Sequence, residues 1–185
     1  MSEKKMRVGV IGAGAISDIY LENMINKFDQ LEVVCVSANH IESAQKKAEK
    51  YGIKACTTQE LIDNPEVDLA VVLTPVGAHY GLMLAGKHVY TEKTITDDVE
   101  KAKELVALAN EKGLYLGAAP DTFLGSALQT AAKAIGDGLI GDIHSFVISA
   151  NRNNDLLLSI FSFLRQPGAG ILYDYGVYYL TALVR

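Results

Sequence analysis

Residues Arg7-Val8-Gly9-Val10-Ile11-Gly12-Ala13-Gly14-Ala15-Ile16-Ser17 form an apolar run that breaks into a glycine turn and then into a helical pattern. This order confines the chain to a strand–turn–helix at its start. Gly12 permits the sharp turn, Gly14 removes the Cβ that would block a pyrophosphate, and the small Ser17 lets the helix pack close to the strand. The free N–H groups at the start of that helix, beside Ala15 and Ile16, favour an anion. A glycine turn alone also suits any α/β protein; its position at the first strand favours a dinucleotide.

Beyond this turn, Ile19, Leu21, Met24, Ile25 and Phe28 recur at helical spacing, and residues 31–36 form a continuous apolar strand. The pattern predicts a helix over 42–51, a short strand over 54–57, a brief helix opened by the capping pair Thr57 and Glu60, and strands over 67–73 and 88–91. A short helix is expected around 80–85. Asp97 and Glu100 have capping spacing for a helix over 99–112, and Gly113 stops it before a strand over 114–118. Solid apolar strands alternating with helices imply a parallel sheet covered on both faces, hence a doubly wound α/β Rossmann domain over residues 1–118. Residues 119–185 change character. A helix over 126–135, a glycine-rich turn over 136–141, a strand with alternating polarity over 143–150, a polar loop over 151–155 and an aromatic run ending in a last helix predict a partial α+β second domain.

With 49% hydrophobic residues among 185, the chain carries enough apolar material for a full core. The net charge of −5 and the absence of a basic cluster argue against a nucleic-acid surface. Lys4, Lys5 and Arg7 before an apolar run imitate a secretory signal, but three glycines and then Asp18 and Glu22 interrupt it. No segment approaches the length of a membrane span. Cys35 and Cys56 are too few for a disulfide framework and are expected as buried thiols in a reducing cytoplasm. No cysteine, histidine or carboxylate cluster has metal-ligand spacing.

Residues Val71-Val72-Leu73-Thr74-Pro75-Val76-Gly77-Ala78-His79-Tyr80, followed by Gly86-Lys87-His88-Val89-Tyr90-Thr91-Glu92-Lys93, go beyond a generic dinucleotide domain. They resemble the glucose–fructose oxidoreductase / inositol dehydrogenase / MocA family, which carries a Thr-Pro…His segment and then a Gly-Lys-His-Val…Glu-Lys-Pro segment. Ala119-Pro120-Asp121-Thr122-Phe123-Leu124-Gly125 and Gly168-Ala169-Gly170-Ile171-Leu172-Tyr173-Asp174-Tyr175-Gly176 are similar to the family's passage into its second domain and its Gly-Gly-Gly…Asp-x-Gly motif. The resemblance implies a nicotinamide-dependent oxidoreductase acting on a sugar, polyol or similar secondary alcohol. It also implies that residues 119–185 begin a substrate and oligomerisation domain that the family continues well past residue 185. The expected partners are a small sugar-like substrate and further copies of the chain, since an isolated strand edge and a terminal aromatic segment would otherwise stay bare.

The family's reactive lysine corresponds to Lys93, and a lysine at the carboxyl edge of such a sheet is placed to polarise a carbonyl or share an alcohol proton. Glu92 pairs with it or helps hold a cofactor ribose. Asp174 and Tyr178 stand at i, i+4 on one expected helix face and form the second catalytic pair. Tyr178 occupies a position that is histidine in much of the family, and the same tyrosines also suit packing and interface roles. Thr94 replaces the proline that ordinarily follows the Glu-Lys pair. Thr74, Pro75 and His79 are expected beside the cofactor. At the end of the second strand, Ala38, Asn39 and His40 follow Ser37 with no carboxylate to bind a ribose 2′-hydroxyl and no arginine to bind a 2′-phosphate. The cofactor is therefore NAD(P), leaning to NADP because no acid repels the phosphate. Three readings remain open at this point: hydride exchange with a sugar-like alcohol or ketone, a shortened dinucleotide-binding module without turnover of its own, or an inert gene remnant with a folded Rossmann core.

Overall fold

In a computed structural model that describes residues 4–83, 86–151, 153, 155–160, 162–165 and 169–185, the apolar runs become six parallel strands. They are β1 (Met6–Ile11), β2 (Leu31–Ser37), β3 (Lys54–Cys56), β4 (Leu69–Val72), β5 (His88–Thr91) and β6 (Leu116–Ala118). The helices between them are α1 (Ser17–Lys27), α2 (Ile41–Tyr51), α3 (Thr58–Asp63), α4 (His79–Met83) and α5 (Val99–Lys112). The strand order β3-β2-β1-β4-β5-β6 reverses direction between β1 and β4, the doubly wound Rossmann arrangement. That reversal opens a crevice at the carboxyl ends of β1 and β4, where ligands of such sheets bind.

Alternation along each strand divides the core into two faces. Val8, Val10, Val36, Val71 and Leu73 meet Leu21 and Met24 of α1 and Ala48 of α2; Ile11, Cys35, Ala70, Val72 and Val89 meet Leu61 of α3 and Leu105 of α5. Fully burying each such aliphatic side chain stabilises the fold by about 1.5–3 kcal/mol. Of the five apolar residues that recur at helical spacing here, Leu21 and Met24 are buried, whereas Ile19, Ile25 and Phe28 are exposed. The Thr57/Glu60 capping box forms as expected. At α5 the cap is Asp98 rather than Asp97: its backbone is extended, and its carboxylate accepts from the N–H groups of Glu100 and Lys101 at 2.8 and 3.3 Å. Asp97 lies one residue too early to reach them. The end of the expected helix over 80–85 falls on Leu84 and Ala85, outside the described residues.

An ion network ties α1 to α2. The Asp18 carboxylate accepts from Lys47 Nζ at 2.6 Å, Tyr51 Oη at 2.7 Å and Lys50 Nζ at 3.0 Å. Hydrogen bonds from Lys47, then Tyr51 and Lys50, hold that carboxyl well below its ordinary value of 3.8. A depressed carboxylate stabilises the fold above its unfolded value, and that contribution is lost as pH falls toward the folded one. Asp18→Asn is therefore expected to lower the melting temperature at pH 7. The gap from wild type should narrow below about pH 4 and close in stronger acid. A gap of equal size at every pH would exclude the carboxylate as its source.

The chain divides into two units, Met1–Ala118 and Ala119–Arg185. The second contains α6 (Ser126–Gly136), α7 (Asp155–Ile160), a π-helical turn at Leu172–Gly176 and α8 (Val177–Val184). The expected strand over 143–150 does not form. No strand exists among the described residues of this unit to ladder with it, and an unpaired strand leaves its N–H and C=O groups to water. Its apolar residues Ile143, Phe146, Val147 and Ile148 are accordingly exposed. Asp155, expected in a loop, opens α7 instead; Arg152 and Asn154 of that expected loop lie outside the described residues.

Candidate functional site

Four loops gather at the carboxyl edge of the sheet: residues 12–16 after β1, 38–40 after β2, 74–78 after β4 and 92–94 after β5. The first is shaped by two glycines with different reasons for being there. Gly12 has φ +115°, a backbone conformation closed to L side chains, and a Cβ on it would lie 2.9 Å from the Leu73 carbonyl carbon and oxygen. Its N–H donates to the Ser37 carbonyl at 2.8 Å. A Cβ on Gly14 would meet nothing within 4 Å, so this side of the turn is open. Ser17 is fully buried and its hydroxyl donates to the Gly14 carbonyl at 2.6 Å, which closes the turn onto the helix. Ala15 and Ile16 are exposed, the Ser17 N–H turns back to the Gly14 carbonyl at 3.2 Å, and α1 begins without a side-chain cap, the kind of helix start that favours an anion. The one acid in that turn, Asp18, is already paired with Lys47 and Lys50.

After β4, Thr74 Oγ1 is buried with no hydrogen-bond partner among the described residues. A buried orphan hydroxyl is costly unless a ligand completes it. Together with the open face at Gly14 and the uncapped helix start, it fits the phosphates and polar edges of a dinucleotide. Pro75 is exposed on the same loop. His79, expected beside the cofactor, is fully buried behind the loop: Nε2 lies 2.6 Å from the Thr74 carbonyl oxygen, and Nδ1 lies 3.0 Å from the Thr94 carbonyl oxygen and 3.1 Å from Thr91 Oγ1. A neutral ring donates to one carbonyl and accepts from the Thr91 hydroxyl, whereas an imidazolium donates to both carbonyls. In either form both ring nitrogens are occupied within the protein, so this side chain braces the site from inside.

Glu92 is half-buried. Its Oε1 accepts from Tyr20 Oη at 2.7 Å and its Oε2 accepts from the backbone N–H of Lys93 at 3.1 Å. Lys93 is half-buried and the Lys93–Thr94 peptide bond is cis. The backbone around the lysine is thus held on one side by Glu92 and on the other by His79 through Thr94. At the end of β2, Ser37 is fully buried and accepts from the Thr58 hydroxyl at 3.3 Å, Ala38 is half-buried, and Asn39 and His40 are exposed. The Cys35 thiol on the same strand is pushed up to about 12, by burial first and then by Cys56, so it is no nucleophile. Cys56 is only half-buried, against the expectation, because β3 is an edge strand.

Asp174 and Tyr178 belong to the second unit. Asp174 sits in the π-helical turn, its N–H donating to the Gly170 carbonyl at 2.8 Å, and Tyr178 sits in the first turn of α8; both are half-buried. The helix expected to carry both is therefore π-helical at Asp174 and α-helical only from Val177. Gly168 of the glycine motif lies outside the described residues. No local spacing in the sequence marks Tyr20 or Thr91 as part of the site. The one available signal was a polar-tipped aromatic beside the buried stripe of Leu21 and Met24.

Residues 6–119 match the model of the oxidoreductase family with an NAD-binding Rossmann fold. The scyllo-inositol 2-dehydrogenase (NADP(+)) IolW of Bacillus subtilis is 25% identical over 92% of the chain and 49% of its own length. A 3-ketoreductase from Actinomadura kijaniata, solved with TDP-benzene and NADP, superposes with a TM-score of 0.69 at 28% identity over 76% of this chain and 46% of its own. The WlbA dehydrogenase from Bordetella pertussis, solved with NADH and UDP-GlcNAcA, gives 0.72 at 26% identity over 77% of this chain and 43% of its own. The chain spans about half the length of the curated relatives it matches. With its doubly wound sheet, its open glycine turn and a family match over more than half its length, the chain belongs to the Gfo/Idh/MocA oxidoreductase family.

Proposed function

We propose that the protein exchanges a hydride between a nicotinamide dinucleotide, NAD(P)(H) with a lean to NADP(H), and a sugar, polyol or related secondary alcohol or ketone. The observation that carries this reading is the placement of the open turn at residues 12–14 and the braced Lys93 on one carboxyl edge, the turn at the switch point of the sheet and the lysine after the next strand, β5. The nicotinamide, when bound, supplies the hydride acceptor or donor. Gly14 and the first turn of α1 receive the pyrophosphate, with Ala15 and Ile16 at its edge. Thr74 Oγ1 donates to or accepts from the cofactor, Pro75 shapes the loop around it, and His79 and Glu92 keep that loop and the lysine in place. The Lys93 ammonium polarises a carbonyl oxygen, or holds at Nζ the proton leaving an alcohol. Asp174 as substrate-positioning group and Tyr178 as proton shuttle rest on the family pattern.

The lean to NADP rests on the end of β2, where the exposed Asn39 and His40 follow Ala38 with no carboxylate to repel a 2′-phosphate, while Ser37 is buried against Thr58 and takes no part. One relative carries NADP(+) in its name and one neighbour was solved with NADP, while another was solved with NADH.

Fluorescence titration with NADPH and NADH, followed by a panel of polyols and keto-sugars, tests the reading. Tighter binding of NADPH and turnover of at least one substrate are expected. A clear preference for NADH overturns the lean, and binding without turnover leaves a dinucleotide-binding module. Gly14→Val is the matching control. It enters open space, so the melting temperature should stay within about 2 °C of wild type while affinity for NADPH falls more than about tenfold. Unchanged affinity would remove the pyrophosphate from this turn.

A further inference from the structure

We infer that Tyr20 is a positioning residue that makes the pyrophosphate-binding helix and Lys93 one mechanical piece, so that occupancy at the glycine turn is felt at the lysine. The inference deepens the proposed function and rests on it for the identity of the ligand.

The path is continuous and short. Ser17 Oγ holds the Gly14 carbonyl at 2.6 Å; one helical turn later on the same α1, Tyr20 Oη holds Glu92 Oε1 at 2.7 Å; and Glu92 Oε2 holds the Lys93 N–H at 3.1 Å. Tyr20 and Glu92 are 72 residues apart in sequence, and their bond spans from the helix after β1 to the end of β5, two strands away in the sheet. A half-buried carboxylate needs donors for both oxygens, and these two donors come from different elements. Donation from Tyr20 fixes the Glu92 rotamer, which in turn keeps Oε2 on the lysine amide. Packing alone does not require the hydroxyl: the Tyr20 ring already meets the Tyr90 ring, centroids 6.4 Å apart. The helix is itself held at its first turn, where Asp18 is locked to Lys47, Lys50 and Tyr51. An anion settling on the α1 N-terminus therefore presses on an element that cannot yield independently of Glu92.

Amide hydrogen exchange at Lys93, read by NMR on the 15N-labelled 185-residue chain, tests the link without requiring activity. Tyr20→Phe keeps the ring and removes only the hydroxyl; it should speed exchange at Lys93 about fivefold while the Val89 and Thr91 amides of β5 stay unchanged. Glu92→Ala should do the same, and the double variant should add nothing further, because both break one path. Wild-type protection at Lys93 in Tyr20→Phe, or effects that multiply in the double variant, would overturn the inference. Addition of NADPH should slow Lys93 exchange in wild type and not in Tyr20→Phe, and where turnover is seen kcat should fall with the KM for NADPH unchanged. Equal slowing by NADPH in both proteins also overturns it. If NADPH binds neither protein, the nicotinamide reading fails, while exchange in the ligand-free proteins still decides whether Tyr20 holds Lys93.

Discussion

Lys93→Met is expected to abolish turnover while leaving the protein folded and its NADPH affinity within about twofold of wild type. General acid–base assistance by a positioned side chain is worth about 10²–10⁴-fold in rate, so kcat should fall by roughly three orders of magnitude. Methionine retains most of the apolar stem and removes the ammonium, which keeps the half-buried position filled. The brace around the lysine acts on backbone groups, the Lys93 N–H and the Thr94 carbonyl, and so survives the substitution. Nor do the features that fit the dinucleotide involve the Lys93 side chain: they are the open face at Gly14, the Thr74 hydroxyl and the uncapped start of α1. A loss confined to kcat would mark an interaction made in the transition state alone. Should Lys93→Met instead weaken NADPH binding in proportion to its loss of rate, the lysine would be a cofactor-holding residue and the proton would have to move elsewhere. Steady-state kinetics with a fluorescence titration on the same preparation separate the two.

The parts of this molecule that could be read in the sequence are those governed by near neighbours in the chain. The glycine turn, the Thr57/Glu60 capping box and the apolar strands depend on residues a few positions apart, and each forms where its pattern predicts. The faces of α1 were less legible, since Ile19, Ile25 and Phe28 are as apolar as Leu21 and Met24, and only the placement of the sheet decides which are buried. Residues 143–150 fail for a related reason: alternation specifies a strand only where a neighbour completes its hydrogen bonds. At the site, Lys93 was singled out by a family resemblance, because a lysine after a strand is by itself unremarkable. The brace behind it was illegible. His79 reaches Thr94 across 15 residues and Tyr20 reaches Glu92 across 72, contacts that no local spacing encodes. Resemblance placed His79 near the cofactor, and the fold puts it behind the loop that the cofactor would touch, with both nitrogens turned to protein oxygens.

Gly12→Ala should produce the largest loss of stability of any single methyl addition at this site, and it should remove NADPH binding with it. Two costs act together. A φ of +115° lies outside the conformations an L residue adopts at low energy, which costs about 1–3 kcal/mol. The new Cβ would also lie 2.9 Å from the carbonyl carbon and oxygen of Leu73, and because these are backbone atoms no change of rotamer relieves the overlap. Neither side can retreat easily, since the Gly12 N–H is bonded to the Ser37 carbonyl and the Leu73 N–H to the Ile11 carbonyl, both at 2.8 Å. A loss of about 3 kcal/mol, or roughly 10 °C in melting temperature, is expected. Any relaxation must move the end of β1 away from β4, which widens the switch-point crevice and draws the start of α1 from the place proposed for the pyrophosphate. Gly14→Ala gives the contrast: one methyl group two residues further on, placed in open space, leaves stability unchanged and acts on binding alone. If both variants melted like wild type, the turn would have to be more pliant than its two flanking 2.8 Å bonds allow, and the glycine at position 12 would not be the residue that fixes the crevice.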